Sequence, residues 1–262
     1  MRDAEELLNI YDREVRGSFA MRLPGGWSAE QDGPLSRCVT PRDGFAMLTE
    51  ATTMSERELA ALVDRTIGFY AELGLEWEWK AFDHDRPELN AMLVARGATP
   101  EPHEALVLGE AAPLAVDASV PDGLRLVTVA DGTGLEAIAE MEATVWGDDR
   151  SWLADDLEER LASEEPIEIF AVMDGDLVVS AAWLVPLPGT RVAGLWGGST
   201  LADYRGRGIY RSLVAHRARR AIELGYELLQ IDASDDSRPI LERLGLTVIG
   251  GTTPYIFEAQ GN

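Results

Sequence analysis

Short apolar runs alternate with amphipathic segments through the second half of the chain, which is typical of strands interleaved with helices. The apolar runs predict strands over residues 124–129, 167–173, 177–185, 190–200 and 227–233. Apolar residues that recur every three to four positions predict helices over residues 131–145, 152–161 and 210–224. Gly175 predicts a hairpin turn, and Gly225 predicts the end of the last long helix. A short helix that ends at Leu244 and a final pair of strands complete a mixed α/β pattern.

The first half of the chain repeats part of this order. Residues 71–76 (Ala-Glu-Leu-Gly-Leu-Glu) match residues 222–227 (Ile-Glu-Leu-Gly-Tyr-Glu), and an Arg-Pro pair follows the glycine in each copy. A further glycine ends the next short helix, at Gly97 and at Gly245. This order and spacing predict an internal duplication. The copies differ before the long helix, where the first half offers only a plain capping box at residues 55–58.

Glycine, proline, alanine and aspartate crowd together between residues 109 and 123, which is typical of a linker. We therefore predict a first domain over residues 1–110, a linker over 111–121 and a second domain over 122–262. A chain of 262 residues is long enough for two small domains of this kind.

Composition and charge narrow the function classes. The chain is 46% hydrophobic, as a folded protein should be, and no apolar run reaches the roughly 18 residues that span a bilayer. An acidic N-terminus and one cysteine, Cys38, favour a cytoplasmic location. The net charge of −23 argues against nucleic acid or an anionic membrane as a partner and favours a cationic one. Three scattered histidines have no metal-ligand spacing, so we expect no metal.

The segment Arg205-Gly206-Arg207-Gly208 lies between a predicted strand and the start of a predicted helix. Its glycines allow successive N–H groups to face one side, and the helix start adds unpaired N–H groups and the positive end of a dipole. With Arg211, the arginines concentrate positive charge in an otherwise acidic protein. The segment therefore indicates either a phosphate-binding loop or a glycine-rich turn with solvated arginines.

This loop and its flanking elements resemble the acyl-CoA-binding core of the GCN5-related N-acetyltransferase (GNAT) superfamily. Residues 205–210 match the signature Arg/Gln-x-x-Gly-x-Gly/Ala except at Tyr210, where Gly or Ala is usual. The resemblance covers about residues 122–258. It implies two tandem GNAT-like domains, each a central, mostly antiparallel twisted sheet flanked by helices. The first half then resembles a degenerate copy that lacks the phosphate loop and binds no cofactor.

The resemblance implies acetyl-CoA as the co-substrate. Its pantetheine arm would pair with the fourth strand of the fold, and its phosphates would meet the N–H groups of the glycine loop. The residues expected to bind it are Ser199, Thr200, Leu201, Arg205, Gly206, Arg207, Gly208, Ile209, Tyr210, Arg211 and Ser234. Gly197 and Gly198 mark either a bulge that opens the strands or close packing against Trp183 or Trp196.

The catalytic residues are less defined by sequence. The resemblance places the family's tyrosine acid at Leu241, so that acid is missing. The hydroxyl groups of Tyr210 and Ser237, and that of Ser234, are replacements or only helix-start residues. Asp232 is the nearest candidate base, while Glu142, Glu168 and a water chain are alternatives. Trp146 and Trp152 either wall an acceptor site or are half-buried packing residues.

Taken together, these inferences predict an N-acetyltransferase that moves an acetyl group from acetyl-CoA to a primary amine of a small cationic molecule by direct attack. A non-catalytic acyl-CoA-binding or regulatory module is one alternative. Acetylation of a protein or peptide amine is another. We expect a monomer or a homodimer.

Overall fold

The protein was studied as a computed structural model that describes residues 2–116 and 119–259. Residues 117 and 118 of the predicted linker lie outside the described residues. The chain forms two compact units. The central unit is Gly109–Ile231, and the N-terminal unit combines Arg2–Leu108 with the segment that begins at Asp232. This grouping differs from a second domain over residues 122–262, because the last strand pairs with strands of the first half.

The helices and strands follow the predicted order closely in the second half. The first half contains α1 (Ala4–Tyr11), β1 (Ser28–Asp32), β2 (Leu35–Val39), β3 (Gly44–Leu48), α2 (Glu56–Leu73), β4 (Trp77–Phe82), α3 (Glu88–Val94), β5 (Thr99–Pro100) and β6 (Glu104–Glu110). The second half contains β7 (Leu124–Val129), α4 (Gly132–Trp146), α5 (Trp152–Ala162), β8 (Glu168–Asp174), β9 (Leu177–Pro186), β10 (Val192–Thr200), α6 (Ile209–Glu223), β11 (Leu228–Ala233), α7 (Arg238–Arg243) and β12 (Thr247–Phe257). No helix among the described residues has the length and apolar character needed to cross a membrane.

The sheet of the N-terminal unit has the strand order β1-β2-β3-β4-β12-β6, and β5 also pairs with β12. Only β3 and β4 run parallel among these described pairs. Trp77 and Trp79 project from one face of β4 into a core shared with α2 and α3. Phe257 stacks on Trp77 with ring centroids 4.3 Å apart. The last strand of the chain therefore belongs to the core of the N-terminal unit.

The predicted final pair of strands is wrong, since residues 247–257 form one strand. Gly250 and Gly251 fall at an irregularity in the ladder to β6 rather than at a turn. A Cβ atom on Gly251 would lie 2.2 Å from His103 Nε2, so the glycine here allows a close approach instead of a chain reversal.

The sheet of the central unit has the order β11-β10-β9-β8-β7, antiparallel except between β10 and β11. Gly175 turns the predicted hairpin between β8 and β9 at a φ of +57°. Apolar residues of α4, α5, β8 and β9 form the core of this unit. The ladder from β10 to β11 covers Val192–Gly194 alone among the described residues, so the remainder of β10 diverges from β11.

The two copies share the order strand, helix, glycine, strand, short helix, glycine. The long helix is α2 in the first copy and α6 in the second, and Gly74 and Gly225 follow them with positive φ. The predicted capping box is confirmed, because Ser55 and Glu58 exchange hydrogen bonds at the start of α2. Side chains thus cap the N-terminus of α2. The N-terminus of α6 has no such side-chain cap.

Candidate active site

The glycine loop leads from β10 into α6 through two left-handed residues. Gly206 and Gly208 have φ values of +73° and +89°, which L side chains rarely adopt. Nothing lies within 4 Å of a Cβ atom built on either glycine, so the loop faces open space. The loop therefore offers a concave, accessible backbone surface directly before a helix.

The first turn of α6 has no side-chain cap, since its N-cap residue is Gly208. The first N–H groups of a helix have no intrahelical partner, and the helix dipole adds positive potential there. Arg205 donates to the Thr200 carbonyl (3.0 Å), and Arg207 donates to the Asp203 carbonyl (2.9 Å), so both side chains brace the loop. Arg211 is exposed in the first turn. This arrangement suits a phosphate or pyrophosphate group.

A β-bulge interrupts β10 just before the loop. The register with β9 shifts between Trp196 and Ser199, so one extra residue sits in β10. Gly197 has a φ of +61°, and a Cβ atom on it would lie 2.0 Å from the Trp183 ring. The predicted bulge and the close packing of Gly197 on Trp183 are both present, while Gly198 packs against Tyr210 instead.

A buried arginine fixes this bulge from the helix side. Arg217 of α6 is 1% exposed and donates through Nη1 to the carbonyls of Trp183 and Trp196, each at 3.2 Å. Burial lowers the pKa of its guanidinium to about 10. The side chain thus stays charged at neutral pH and ties β9 and β10 together where the register changes.

Glu142 of α4 is the buried carboxyl group beside the bulged strand. Its Oε2 accepts hydrogen bonds from Trp146 Nε1 (2.7 Å) and from Ser199 Oγ (3.0 Å). Its Oε1 is buried and has no partner among the described residues. Burial raises the pKa of this carboxyl, although the Ser199 and Trp146 hydrogen bonds oppose the shift. A buried carboxylate with an unsatisfied oxygen lowers the stability of the fold unless that oxygen carries a proton or accepts a hydrogen bond from a bound molecule.

Tyr210 packs over the other glycine of the bulge. A Cβ atom on Gly198 would lie 2.8 Å from its ring atom Cε2. Its hydroxyl forms no hydrogen bond within the described part of the chain, and burial raises the pKa of the phenol. The departure from the usual Gly or Ala thus places a neutral phenol beside β10.

Ser199, Thr200 and Leu201 continue β10 toward the loop. Ser180 Oγ bonds the Ser199 carbonyl and, at 2.9 Å, the Thr200 hydroxyl. Leu201 N donates to the Val179 carbonyl at 2.9 Å. These residues are therefore held in place by β9, and they precede the loop directly.

The predicted residues from Asp232 onward belong to the N-terminal unit, whereas Glu168 lies in the central unit and pairs with Arg220. Asp232 forms an ion pair with Lys80. Ser234 and Ser237 bond each other (3.3 Å) at the start of α7, as helix-start residues do. Leu241, in the position of the family's tyrosine acid, is fully buried. Asp232 thus has a structural partner, which makes it a poorer candidate base than Glu142.

Aromatic and charged side chains surround Glu142 at the end of α4. The Trp146 side chain is exposed except where its ring nitrogen bonds Glu142, and Arg150 lies 5.4 Å from the centre of that ring. Arg150 also pairs with Asp148 and lowers the pKa of that carboxyl. Trp146 is therefore largely exposed, and its place in an acceptor site stays a prediction.

The remaining candidates for metal or cysteine chemistry among the described residues are the three histidines and Cys38. No group of three or more His, Cys, Asp or Glu side chains there is arranged to hold a metal ion. His84 and His103 each lie against an aspartate, and His216 packs on the Phe170 ring. Cys38 is buried in β2 of the N-terminal unit, and burial raises the pKa of its thiol.

The comparison with known families found one match, which lies in the second half of the chain. Residues 135–246 match the model of the acetyltransferase (GNAT) family. The match covers less than half of the chain and shows that residues 135–246 are similar to a GNAT domain. The match contains the whole loop, the bulge and Glu142, so each of these features belongs to the part of the chain that matches the family.

Solved structures with the same fold span nearly the whole chain. A GCN5-related N-acetyltransferase from Kribbella flavida is 20% identical, with a TM-score of 0.68 over 98% of this chain and 95% of that one. A tandem GNAT protein from the clavulanic acid biosynthesis pathway is 15% identical, with a TM-score of 0.66 over 94% and 87%. A GCN5-related N-acetyltransferase from Sphaerobacter thermophilus is 13% identical, with a TM-score of 0.61 over 87% and 78%. At these identities the likeness establishes the tandem GNAT fold. No protein of curated function matches the chain.

The sequence favours Asp232 over Glu142 as the base and indicates for Arg217 only a place on the helix face. A signal was present for both, because each charged residue falls on the predicted apolar face of its helix. A charge at such a position is costly in a core and needs a specific partner. The partners lie on β9 and β10, which local pattern does not reveal.

Proposed function

We propose that the protein transfers an acetyl group from acetyl-CoA to a primary amine of a small cationic molecule by direct attack. The observation that carries this proposal is one arrangement within the central unit. An open glycine loop at an uncapped helix start follows a bulged strand, and a buried carboxyl group bonds that same strand.

The chain's own residues fit the co-substrate. The backbone from Gly206 to Arg211 would hold its phosphates, and the diverging edge of β10 would pair with the extended pantetheine arm. Ser180 and Arg217 would keep that edge in register. Acetyl-CoA supplies the acetyl group as an activated thioester.

Two side chains would handle the protons. Glu142 would accept a proton from the amine as its nitrogen bonds the acetyl carbon, and Ser199 and Trp146 would orient the carboxylate. Tyr210, kept neutral by burial, would donate a proton to the departing sulfur as the carbon–sulfur bond breaks. The proton lost by the amine and the proton gained by the thiol balance.

Charge favours a cationic acceptor. The chain carries a net charge of −23, and Asp148 and Asp149 follow the exposed Trp146 by two and three residues along the chain. Negative potential and an aromatic face both attract an ammonium group. A small amine is the simplest acceptor, and a basic peptide would use the same chemistry.

The experiment is calorimetric titration with acetyl-CoA, followed by release of free thiol in the presence of an amine panel. The parent chain should bind one equivalent at micromolar concentration. Gly208→Glu should abolish binding, because it places a side chain and a negative charge in the phosphate position. Gly175→Glu, at another exposed left-handed glycine, is the matched control and should bind as the parent does. Equal binding by the parent and Gly208→Glu would refute the loop assignment.

A non-catalytic acyl-CoA-binding module is the rival, and Leu241 in place of the family's tyrosine acid favours it. Binding without thiol release across small amines and basic peptides would support the rival. Thiol release that requires an amine would exclude it. Acetylation of peptides alone would shift the acceptor class to macromolecules.

A further inference from the structure

The loop between α4 and α5 holds a cation against two tryptophan rings. The guanidinium carbon Cζ of Arg150 lies 5.4 Å from the centre of the Trp146 ring and 5.9 Å from that of the Trp152 ring. Its Nε and Nη2 donate to the two carboxylate oxygens of Asp148, at 2.7 and 3.0 Å. Aromatic rings and a carboxylate are groups with which proteins bind organic cations. We name Trp146, Trp152 and Asp148 the cation site.

Arg150 is a replaceable occupant of the cation site. Its side chain is 26% exposed, and the carboxylate that it bonds is itself half exposed and lies two positions earlier in the same loop. Solvent screens an ion pair of this kind, so the pair holds the guanidinium weakly. The bidentate contact with Asp148 also neutralises the guanidinium, so Arg150 does not attract an anionic molecule. Another cation can therefore take its place on the two rings.

The Trp146 ring joins the cation site to the buried carboxyl of Glu142. Its Nε1 donates to Glu142 Oε2 at 2.7 Å, and Glu142 Oε1 is buried without a partner among the described residues. Burial raises the pKa of Glu142, and the charge of Arg150 is among the influences that oppose this shift, as a nearby cation should. One small molecule can therefore present a nitrogen to Glu142 and a cation to the tryptophan rings.

Building on the proposed function, we propose that the cation site binds a second cationic group of the acceptor, and that Arg150 occupies this site until the acceptor arrives. The acceptor is then a diamine. The nitrogen that attacks the thioester gives its proton to Glu142 and is neutral, so it cannot supply the charge that the rings and Asp148 attract. A second charged nitrogen on the same molecule supplies it. The single ammonium of a monoamine would instead be held at the tryptophans, away from Glu142.

The first test measures binding without chemistry, by calorimetry of the full chain with tetramethylammonium, which has no N–H group to acetylate. tert-Butanol is the uncharged ligand of similar shape, and ionic strength is held constant. Arg150→Gln removes the occupant and should bind tetramethylammonium at least tenfold more tightly than the parent. Arg150→Lys keeps a cation and should bind as the parent does. Arg125→Gln, exposed on β7, removes the same charge elsewhere and should also match the parent.

A double variant identifies the carboxylate. Adding Asp148→Asn to Arg150→Gln should abolish the gain in tetramethylammonium affinity, because the rings then lack the negative charge beside them. Far-ultraviolet circular dichroism confirms that each variant is folded before titration. Equal affinity of the parent and Arg150→Gln, or binding of tert-butanol as tight as that of the cation, would overturn the inference.

The second test compares acceptors by release of free thiol from acetyl-CoA at pH 8, where alkylamines are charged. For the parent, kcat/KM should be at least tenfold higher with 1,4-diaminobutane than with n-butylamine. Arg150→Gln should lower the KM for the diamine at least threefold. Turnover of n-butylamine as efficient as that of the diamine would overturn the inference and keep the proposed function. No thiol release with any amine would overturn the proposed function, whereas the tetramethylammonium titration would still decide whether the cation site exists.

Discussion

Glu142 occupies a position where a helix would ordinarily present an apolar side chain to the core. Its carboxyl is 3% exposed as a residue, yet one oxygen bonds Ser199 and Trp146 while the other bonds nothing described. Folding energy alone does not favour such a group, since a leucine of similar size would pack there without a desolvation penalty. This desolvation cost supports the proposal that Glu142 acts in the reaction and not in folding.

Replacing Glu142 with glutamine should keep the shape of the site and remove the base. We expect turnover to fall about 100-fold or more while acetyl-CoA affinity stays unchanged. Because the pKa of Glu142 is raised and the base acts in its ionised form, parent turnover should fall as pH drops through that pKa, and the variant should lack this limb. Steady-state kinetics from pH 5 to 9 measures both effects. Glu140→Gln, on the exposed side of α4, is the control, and equal turnover of the two variants would contradict the role.

Glu78 tests a different property, the dependence of stability on pH. Burial raises its pKa from 4.5 to about 7, and Glu104, Asp232 and Asp43 add to the shift while Lys80 opposes it. The folded state therefore holds a proton that the unfolded state releases. This contribution to stability is complete below pH 4.5 and is lost as pH rises through 7.

Glu78→Gln should flatten that dependence. Between pH 5 and pH 8, the free energy of unfolding of the parent should decrease by up to about 3 kcal/mol more than that of the variant. Urea denaturation at the two pH values measures the difference. Glu72→Gln, exposed on α2, should follow the parent curve. Parallel curves for the parent and Glu78→Gln would show that Glu78 titrates normally.

At the scale of the element, the bulge in β10 depends on Gly197. Its positive φ and its contact with the Trp183 ring both exclude a larger residue, and Arg217 holds the carbonyls of the Trp183–Trp196 pair directly before the shift. The bulge is thus fixed by β9 and α6 together. It determines where Ser199 and Thr200 stand relative to the loop.

A comparison of Gly197→Ala with Gly189→Ala separates the effect of a positive φ from the effect of the contact with the Trp183 ring. Gly189 has a φ of +79° but open space around its Cβ position, so its replacement should cost only about 1 kcal/mol of backbone strain. Gly197→Ala must also displace the Trp183 ring and should cost roughly 3 kcal/mol in total. It should weaken acetyl-CoA binding at least tenfold, as measured by thermal unfolding and calorimetry. Equal effects at the two glycines would mean that strain alone matters.

For the whole molecule, β12 is the decisive strand, because it lies between β4 and β6 of the N-terminal unit. A chain fragment of residues 1–110 should be insoluble, since it lacks the strand that pairs with both neighbours and supplies Tyr255 and Phe257 to the core. Co-expression with residues 122–262 should restore solubility, while residues 122–245 should not. A soluble fragment 1–110 that unfolds cooperatively would show that β12 is dispensable.

Local features of the protein were determined by the sequence alone. The strand at residues 124–129, the turn at Gly175, the capping box at Ser55 and the glycine loop all follow from periodicity or from the conformational freedom of single residues. Each of these signals depends on residues only a few positions apart, so it can be recognised without knowing which distant segments pack against it. The resemblance to the GNAT superfamily rests on the same local loop.

Only the tertiary structure decided which distant segments meet. Glu142 and Ser199 are 57 positions apart, Lys80 and Asp232 are 152 apart, and β12 joins the first half rather than closing a second domain. Pairing of this kind is set by sheet register and by competition among several compatible strands, and no local pattern records it. The loop was therefore predictable from sequence, while the buried carboxylates and their partners required the fold.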